Sequence, residues 1–184
     1  NAQGQGAITI GTGTGNTVMK ILPGTMLTGG LGAGIRICNS GGSRSALYMT
    51  GGTVNRSPKT GDDLAFTVGK NAGSYGYFNM SGGEMNITRI QPGQSGTTST
   101  GSNTVGNVRM TGGTITLPDY ILIARSIGSQ CAFTVDGGTI YHTNALNNLS
   151  IGYEGGRGEL NLTGGTIENY GRPLAVRQSL NNST

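Results

Sequence analysis

The chain has no Trp, three Phe, two Cys and one His among 184 residues, and only 11% of its residues are charged. Each scarcity excludes something. So few aromatics cannot fill the thick interior of a globular domain this long, so the core must be thin and aliphatic. Apolar runs never exceed a few residues, far short of the roughly 20 that a membrane-spanning helix needs. No stretch repeats apolar residues at helical spacing over three turns, which predicts essentially no α-helix. Net charge is +4, yet Lys and Arg are scattered singly (Lys20, Arg36, Arg56, Lys70, Arg109, Arg125). A nucleic-acid interface would concentrate them in a stripe. Weak attraction to an acidic glycan or cell surface is the partner class that such a charge leaves open.

Glycine is what the chain has in abundance, 36 residues of it, and the glycines recur in phase. Two alternating apolar residues, a small polar residue, Gly-Gly, Thr and an apolar residue appear as Leu47-Tyr48-Met49-Thr50-Gly51-Gly52-Thr53-Val54 and Phe78-Asn79-Met80-Ser81-Gly82-Gly83-Glu84-Met85. Further copies run over 108–115, 133–140 and 160–167. A degenerate first copy, Met19 to Met26, has Leu22-Pro23 where the others have a polar residue and Gly. The second glycines (24, 52, 83, 113, 138, 165) are 28, 31, 30, 25 and 27 residues apart. A period of this size marks a solenoid, whose coils bury their apolar faces only by stacking. Ahead of the corners, in phase, lie apolar-x-apolar triplets such as Ile8-Thr9-Ile10, Ile35-Arg36-Ile37, Phe66-Thr67-Val68, Ile121-Leu122-Ile123 and Leu149-Ser150-Ile151. In the fourth repeat the candidate, Ile87 to Ile90, runs into Pro92 and lacks a clean form. The expected coil is therefore a short strand, a Gly-rich turn, a second strand, a Gly-Gly corner and a third strand. Alternation puts Leu160 and Leu162 inside and Asn161 outside.

The whole chain, 1–184, reads as one all-β domain: a parallel β-solenoid of about six coils plus a partial seventh, opened by Leu174-Ala175-Val176. At about 4.8 Å per layer, six coils make a rod of roughly 29 Å. Polar insertions at 55–63 and 91–104 are expected as surface loops. Cys38 and Cys131 fall three coils apart, roughly 14 Å, too far for a disulfide and expected as small thiols, buried or half-buried.

Chemistry is sparse. Glu84 and Asp136 replace corner residues two coils apart, roughly 10 Å, and are expected to cap backbone N–H groups rather than act as an acid/base pair. Asp62-Asp63 has no convergent partner. His142 lacks neighbours at metal-ligand spacing, and Gly11 to Gly15 precedes no helix that would make it a phosphate loop. The expectation is no enzyme, no cofactor and no metal. Thr53, Thr114, Thr139 and Thr166 share one slot and read as a corner ladder. They do not form an ice-binding array, because the outward strand slot (Lys20, Tyr48, Asn79, Arg109, Thr134, Asn161) is irregular.

The pattern apolar-x-Ile-Gly, turn, apolar-x-apolar-Thr-Gly-Gly-Thr-apolar, fullest over Leu149–Ile167, resembles repeats of bacterial autotransporter passengers and other large secreted surface proteins. The resemblance implies a right-handed parallel β-solenoid, an architecture shared by adhesins, stalks and fibres. With no evident cap at either end, the expected function is the structural subunit of an extracellular filament whose coils stack head to tail. Ile8, Ile10, Met19, Ile21 and Met26 would form its leading face, and Leu174 and Val176 its trailing face. The alternative is an adhesin or phage-fibre segment that binds glycans through its loops.

Overall fold

A computed structural model describes residues 7–29, 34–56, 65–94 and 103–176. The first coil supplies β1 (Ile8–Ile10), β2 (Asn16–Ile21) and β3 (Met26–Gly29), and the second β4 (Ile35–Ile37) and β5 (Arg44–Arg56). Then come β6 (Phe66–Val68) with β7 (Tyr75–Asn86), β8 (Ile90–Pro92) with β9 (Val105–Leu117), and β10 (Ile121–Ile123) with β11 (Gln130–His142). The sixth coil holds β12 (Asn148–Ile151), β13 (Arg157–Leu162) and β14 (Thr166–Asn169), and β15 (Arg172–Val176) opens a seventh. The short strands form one parallel sheet, β1-β4-β6-β8-β10-β12-β15, and the long ones a second, β2-β5-β7-β9-β11-β13. β3 and β14 extend the second sheet beside β5 and β11. The fold is a parallel β-solenoid, all-β among the described residues. Copies of the motif number six, but the layers β2 to β13 are separated by about five turns.

The corner differs from the expected strand break. In the four middle coils a single strand runs through the glycine pair, which appears as a register shift, for example between Val135, Gly137 and Thr139. Gly112 and Gly113 show why both glycines are needed. A Cβ at Gly112 would lie 2.6 Å from the Ser81 carbonyl oxygen of the layer beneath. At Gly113, with φ +87°, it would lie 2.7 Å from the Gly83 oxygen and 2.7 Å from Met80 Cε. Methionine is the second half of this arrangement. Met49, Met80 and Met110 are fully buried, and each methyl fills the space beside the second glycine of the next layer. An unbranched, flexible side chain can do this where a branched one cannot. In the first copy, by contrast, a Cβ at Gly24 meets nothing within 4 Å.

Along the rod, inward residues form columns. Leu47, Phe78, Val108, Phe133 and Leu160 are consecutive partners, so bulky rings alternate with aliphatic side chains. Phe78 meets Phe66 of the opposite sheet edge-on, at 4.8 Å between centroids. Leu160 packs against the core, but Leu162 is 53% exposed because β13 is the last strand of its sheet. The fourth short strand exists after all, at Ile90–Pro92. Pro92 is tolerated as its final residue, where its carbonyl accepts from Ala124 N–H and Gly93 N–H donates to Val68.

A left-handed residue ends each short strand through the sixth: Gly11, Cys38, Gly69, Gly93, Ala124 and Gly152, with φ between 55° and 80°. Cys38 and Ala124 are the two non-glycines there, and left-handed φ costs them about 1–2 kcal/mol each. The Cys38 thiol donates to the Tyr75 carbonyl at 2.6 Å. Cys131 fills a slot that is Ser45, Gly76 and Gly158 in other coils, pressed against the turn so closely that only small residues fit. Both thiols are free and buried, as expected.

Two predictions follow from this packing. Gly113→Ala combines left-handed strain with overpacking and should cost about 3 kcal/mol or more, whereas Gly24→Ala should cost only about 1–2 kcal/mol. Urea denaturation of the two variants checks the difference. Burial pushes the Cys131 thiol from its ordinary 9.0 up to about 12. The folded state therefore holds this proton more tightly than the unfolded state. Its contribution to stability is present below the unfolded value and is lost as pH rises through 9.0 towards about 12. The urea midpoint should fall over that window, and less steeply in Cys131→Ala.

Candidate functional surfaces

Ten large hydrophobic residues are exposed among the described residues, and eight of them lie at the ends: Val18, Leu22 and Met26 on the first coil, and Leu146, Leu162, Tyr170, Leu174 and Val176 on the last layers. The residues predicted to stack are distributed unevenly. Met26 (70%), Leu174 (51%) and Val176 (76%) are exposed. Ile8 and Met19 are half-buried against the core, and Ile10 and Ile21 lie within it. Ile10 continues the inward column of Ile37, and Ile21 that of Met49, so both point between the sheets rather than off the end. Val18 and Leu22 take their place on the leading face. Their signal in the sequence was an apolar residue in an outward slot of the first copy. Among the described residues β1 and β2 terminate their sheets at one end, and β15 and β13 at the other, so both described ends present strand edges.

Polar side chains pair mainly across one coil. Arg89 and Asp119, both buried, form an ion pair, with the guanidinium 5.6 Å over the Tyr120 ring. Arg125 lies 3.6 Å from Glu154, and Asn86 donates to Asn55 at 2.8 Å. Asp136 and Glu84 bond to side chains rather than capping backbone N–H groups. Asp136 accepts from the Thr163 hydroxyl and from Arg109 Nε, the latter at 2.7 Å. These bonds hold its carboxyl below the usual range, and the same contact raises the Arg109 guanidinium. The pair is solvent-exposed, so it adds little stability. Glu84 accepts from Asn86 at 2.9 Å. His142 is buried with Nδ1 2.6 Å from Asn169 Oδ1, and that ring nitrogen donates. Among the described residues no three His, Cys, Asp or Glu side chains converge as metal ligands. The Thr slot is a register column, Thr53–Glu84–Thr114–Thr139–Thr166, interrupted by Glu84.

Of the surface loops expected at 55–63 and 91–104, Asn55 and Arg56 instead continue β5, Gln91 and Pro92 belong to the buried strand β8, and Gln94 and Thr104 are buried, while 57–63, with Asp62-Asp63, and 95–102 lie outside the described residues. Three hollows mark the sides. One of about 150 Å³ lies beside Arg89, Tyr120, Arg125 and Tyr153, with Gln91 buried and its amide unpartnered. That volume suits a few water molecules at about 30 Å³ each. Two larger hollows, of about 470 and 370 Å³, adjoin on the outer face of the second sheet and share Tyr75 and Asn107. Comparison with protein-family models, with curated proteins and with solved structures gives no match for this chain.

Proposed function

We propose that the chain is a structural unit of an extended extracellular fibre, joined to further copies through its first and last coils. The observation that carries this reading is the concentration of exposed large hydrophobic side chains in the end layers, eight of the ten among the described residues. Open parallel edges at both ends support it. The resemblance of the Gly-Gly-Thr repeat to autotransporter passengers and secreted surface proteins supports the extracellular setting. No catalytic step belongs to this function.

Magnitudes set the character of the joint. Burying Val18, Leu22, Met26, Leu174 and Val176, each already partly covered, gives about 5–10 kcal/mol at 1.5–3 kcal/mol per full side chain. Association costs about 4–15 kcal/mol. Side chains alone leave the joint near balance, so assembly depends on shared strand pairing and on concentration.

The corner adds a constraint. In coils two to six a Cβ in the first-glycine slot would meet the layer beneath at 2.3–2.8 Å. Pro23 occupies that slot in the first coil. A neighbouring copy cannot continue the corner ladder unchanged, so the joint rests on the strands flanking it.

Sedimentation velocity and negative-stain electron microscopy over a concentration series test the proposal. Wild type should form rods that lengthen with concentration. Met26→Asp and Val176→Asp, each placing a charge in the joint, should remain single units with unchanged β content. Pro23→Gly should lower the concentration at which rods form. Wild type that stays monomeric throughout, or Asp variants that assemble normally, would sink the idea.

A further inference from the structure

We infer that the outer face of the second sheet binds an extended acidic polysaccharide lying along the solenoid axis. The inference is independent of end-to-end assembly, because it rests on side-facing residues of all six coils.

The groove arises from the outward columns. In one of them Ala46 is followed by Tyr77, Asn107 and then Ala132. The two methyl-sized residues leave the hollows on either side of Tyr77 and Asn107. Tyr75 and Asn107 line both, so the hollows are one groove rather than two pockets. It reaches from Asn16 in the first coil to Arg157 in the sixth, roughly 24 Å at 4.8 Å per layer.

Its chemistry is that of a saccharide platform. Three of the chain's seven Tyr residues gather here: Tyr48 and Tyr75 are exposed, and Tyr77 is half-buried. Tyr48 and Tyr77 meet edge-on at 5.9 Å, which braces their rings. A sugar ring presents an apolar C–H face to such aromatics and hydroxyls to its edges. The Asn107 Oδ1 in the groove floor accepts from the Ala132 N–H at 3.1 Å, which fixes the amide and turns its NH2 donor towards those hydroxyls. Tyr and Asn suit this role because they lose little conformational entropy on binding.

Charge selects the subclass. Arg44 lies 5.4 Å over the Tyr75 ring, which holds its planar fork beside the platform. Arg157 is exposed at the far end. Against these two stands Glu159, while Arg109 nearby is neutralised by Asp136. A surplus of guanidinium groups favours carboxylates, which they bind bidentately. The interior of a sheet offers no unpaired backbone edge for a peptide to extend. An extended glycan with periodic carboxylates fits both the length and the sparse positive charge.

The test is calorimetric titration with polygalacturonate oligosaccharides at low ionic strength, with methyl-esterified oligosaccharides as the neutral comparison. Binding is expected to the acid form, weaker binding to the ester, and weakening with added salt. Tyr75→Ala should cost about tenfold in affinity, equivalent to one aromatic contact of about 1.4 kcal/mol. Arg157→Gln should weaken binding and reduce its salt dependence. Both residues are exposed, so circular dichroism should show intact β structure. Met26→Asp, which disrupts only the proposed joint, should bind like wild type, so failure of the fibre reading leaves this result intact. The proposal is overturned if polygalacturonate, alginate and hyaluronate oligosaccharides all fail to bind. It is also overturned if the ester binds equally well, if affinity survives both groove substitutions, or if Tyr75→Ala changes only side-by-side association of the protein with itself.

Discussion

Parallel backbone hydrogen bonding sets the distance between successive coils at about 4.8 Å, and almost every residue choice in this chain answers to that spacing. Side chains in one column cannot choose their separation; they can only choose their size. Where the backbone bends sharply at the corner, the carbonyl of one layer comes so close to the next that no Cβ fits, and the pair becomes Gly-Gly. Beside the bend the same spacing leaves a small space that a methionine methyl enters, as Met80 does beside Gly113. In the core column, rings in every layer would compete for one volume, and Leu47, Phe78, Val108, Phe133 and Leu160 avoid this by alternating. A short motif repeated along the chain is the outcome of one distance imposed six times.

The spacing also decides where polar partners are found. Arg89 and Asp119 are 30 residues apart, and Thr163 and Asp136 are 27 apart, one coil in each case. Such pairs look unrelated along the chain and become neighbours only when repeats are aligned. Buried Arg89 and Asp119 illustrate the stakes, since losing either would leave the other charged and uncompensated in the interior. The exposed Arg109–Asp136 contact stabilises little, but it cancels one positive charge on the outer face, where Lys20, Arg44 and Arg157 also lie.

Much of this was legible in the sequence because the constraint acts on residue identity. The Gly-Gly period gave the layers, and the outward slot read as Lys20, Tyr48, Asn79, Arg109, Thr134 and Asn161 is the register column observed. Four features were hidden. Strand continuity through the corner was masked by the turn-forming reputation of glycine, although here the pair serves close approach within one strand. The short strand at Ile90–Pro92 was masked by proline, which does no harm at a final position where a carbonyl suffices. Ile10 and Ile21 were assigned to the leading face by membership of the first coil, whereas the alternation that governs every coil turns them inward. The side groove was missed because attention went to loops and charge runs. Its signal is Ala46 and Ala132, two small residues in an outward column otherwise free to hold anything.

That freedom separates the two kinds of surface. Inward slots and corners are fully committed to stacking, so substitutions there report on stability. Outward slots touch only other side chains of the outer face, as Tyr48 does Tyr77, and can vary layer by layer without disturbing the core. A Tyr cluster on such a face therefore has no folding role that requires it, unlike Phe78 or Phe133. Exposed aromatic area offers no gain in water, and its concentration beside Arg44 in one hollowed groove is the ground for the proposed glycan site. The end faces raise the same issue in another form, since their apolar residues and open strands are what every interior layer conceals by stacking. On the two proposals, ends and side are set by largely separate side chains, Met26, Leu174 and Val176 at the ends and Tyr75, Asn107 and Arg157 on the side, with Val18 common to both.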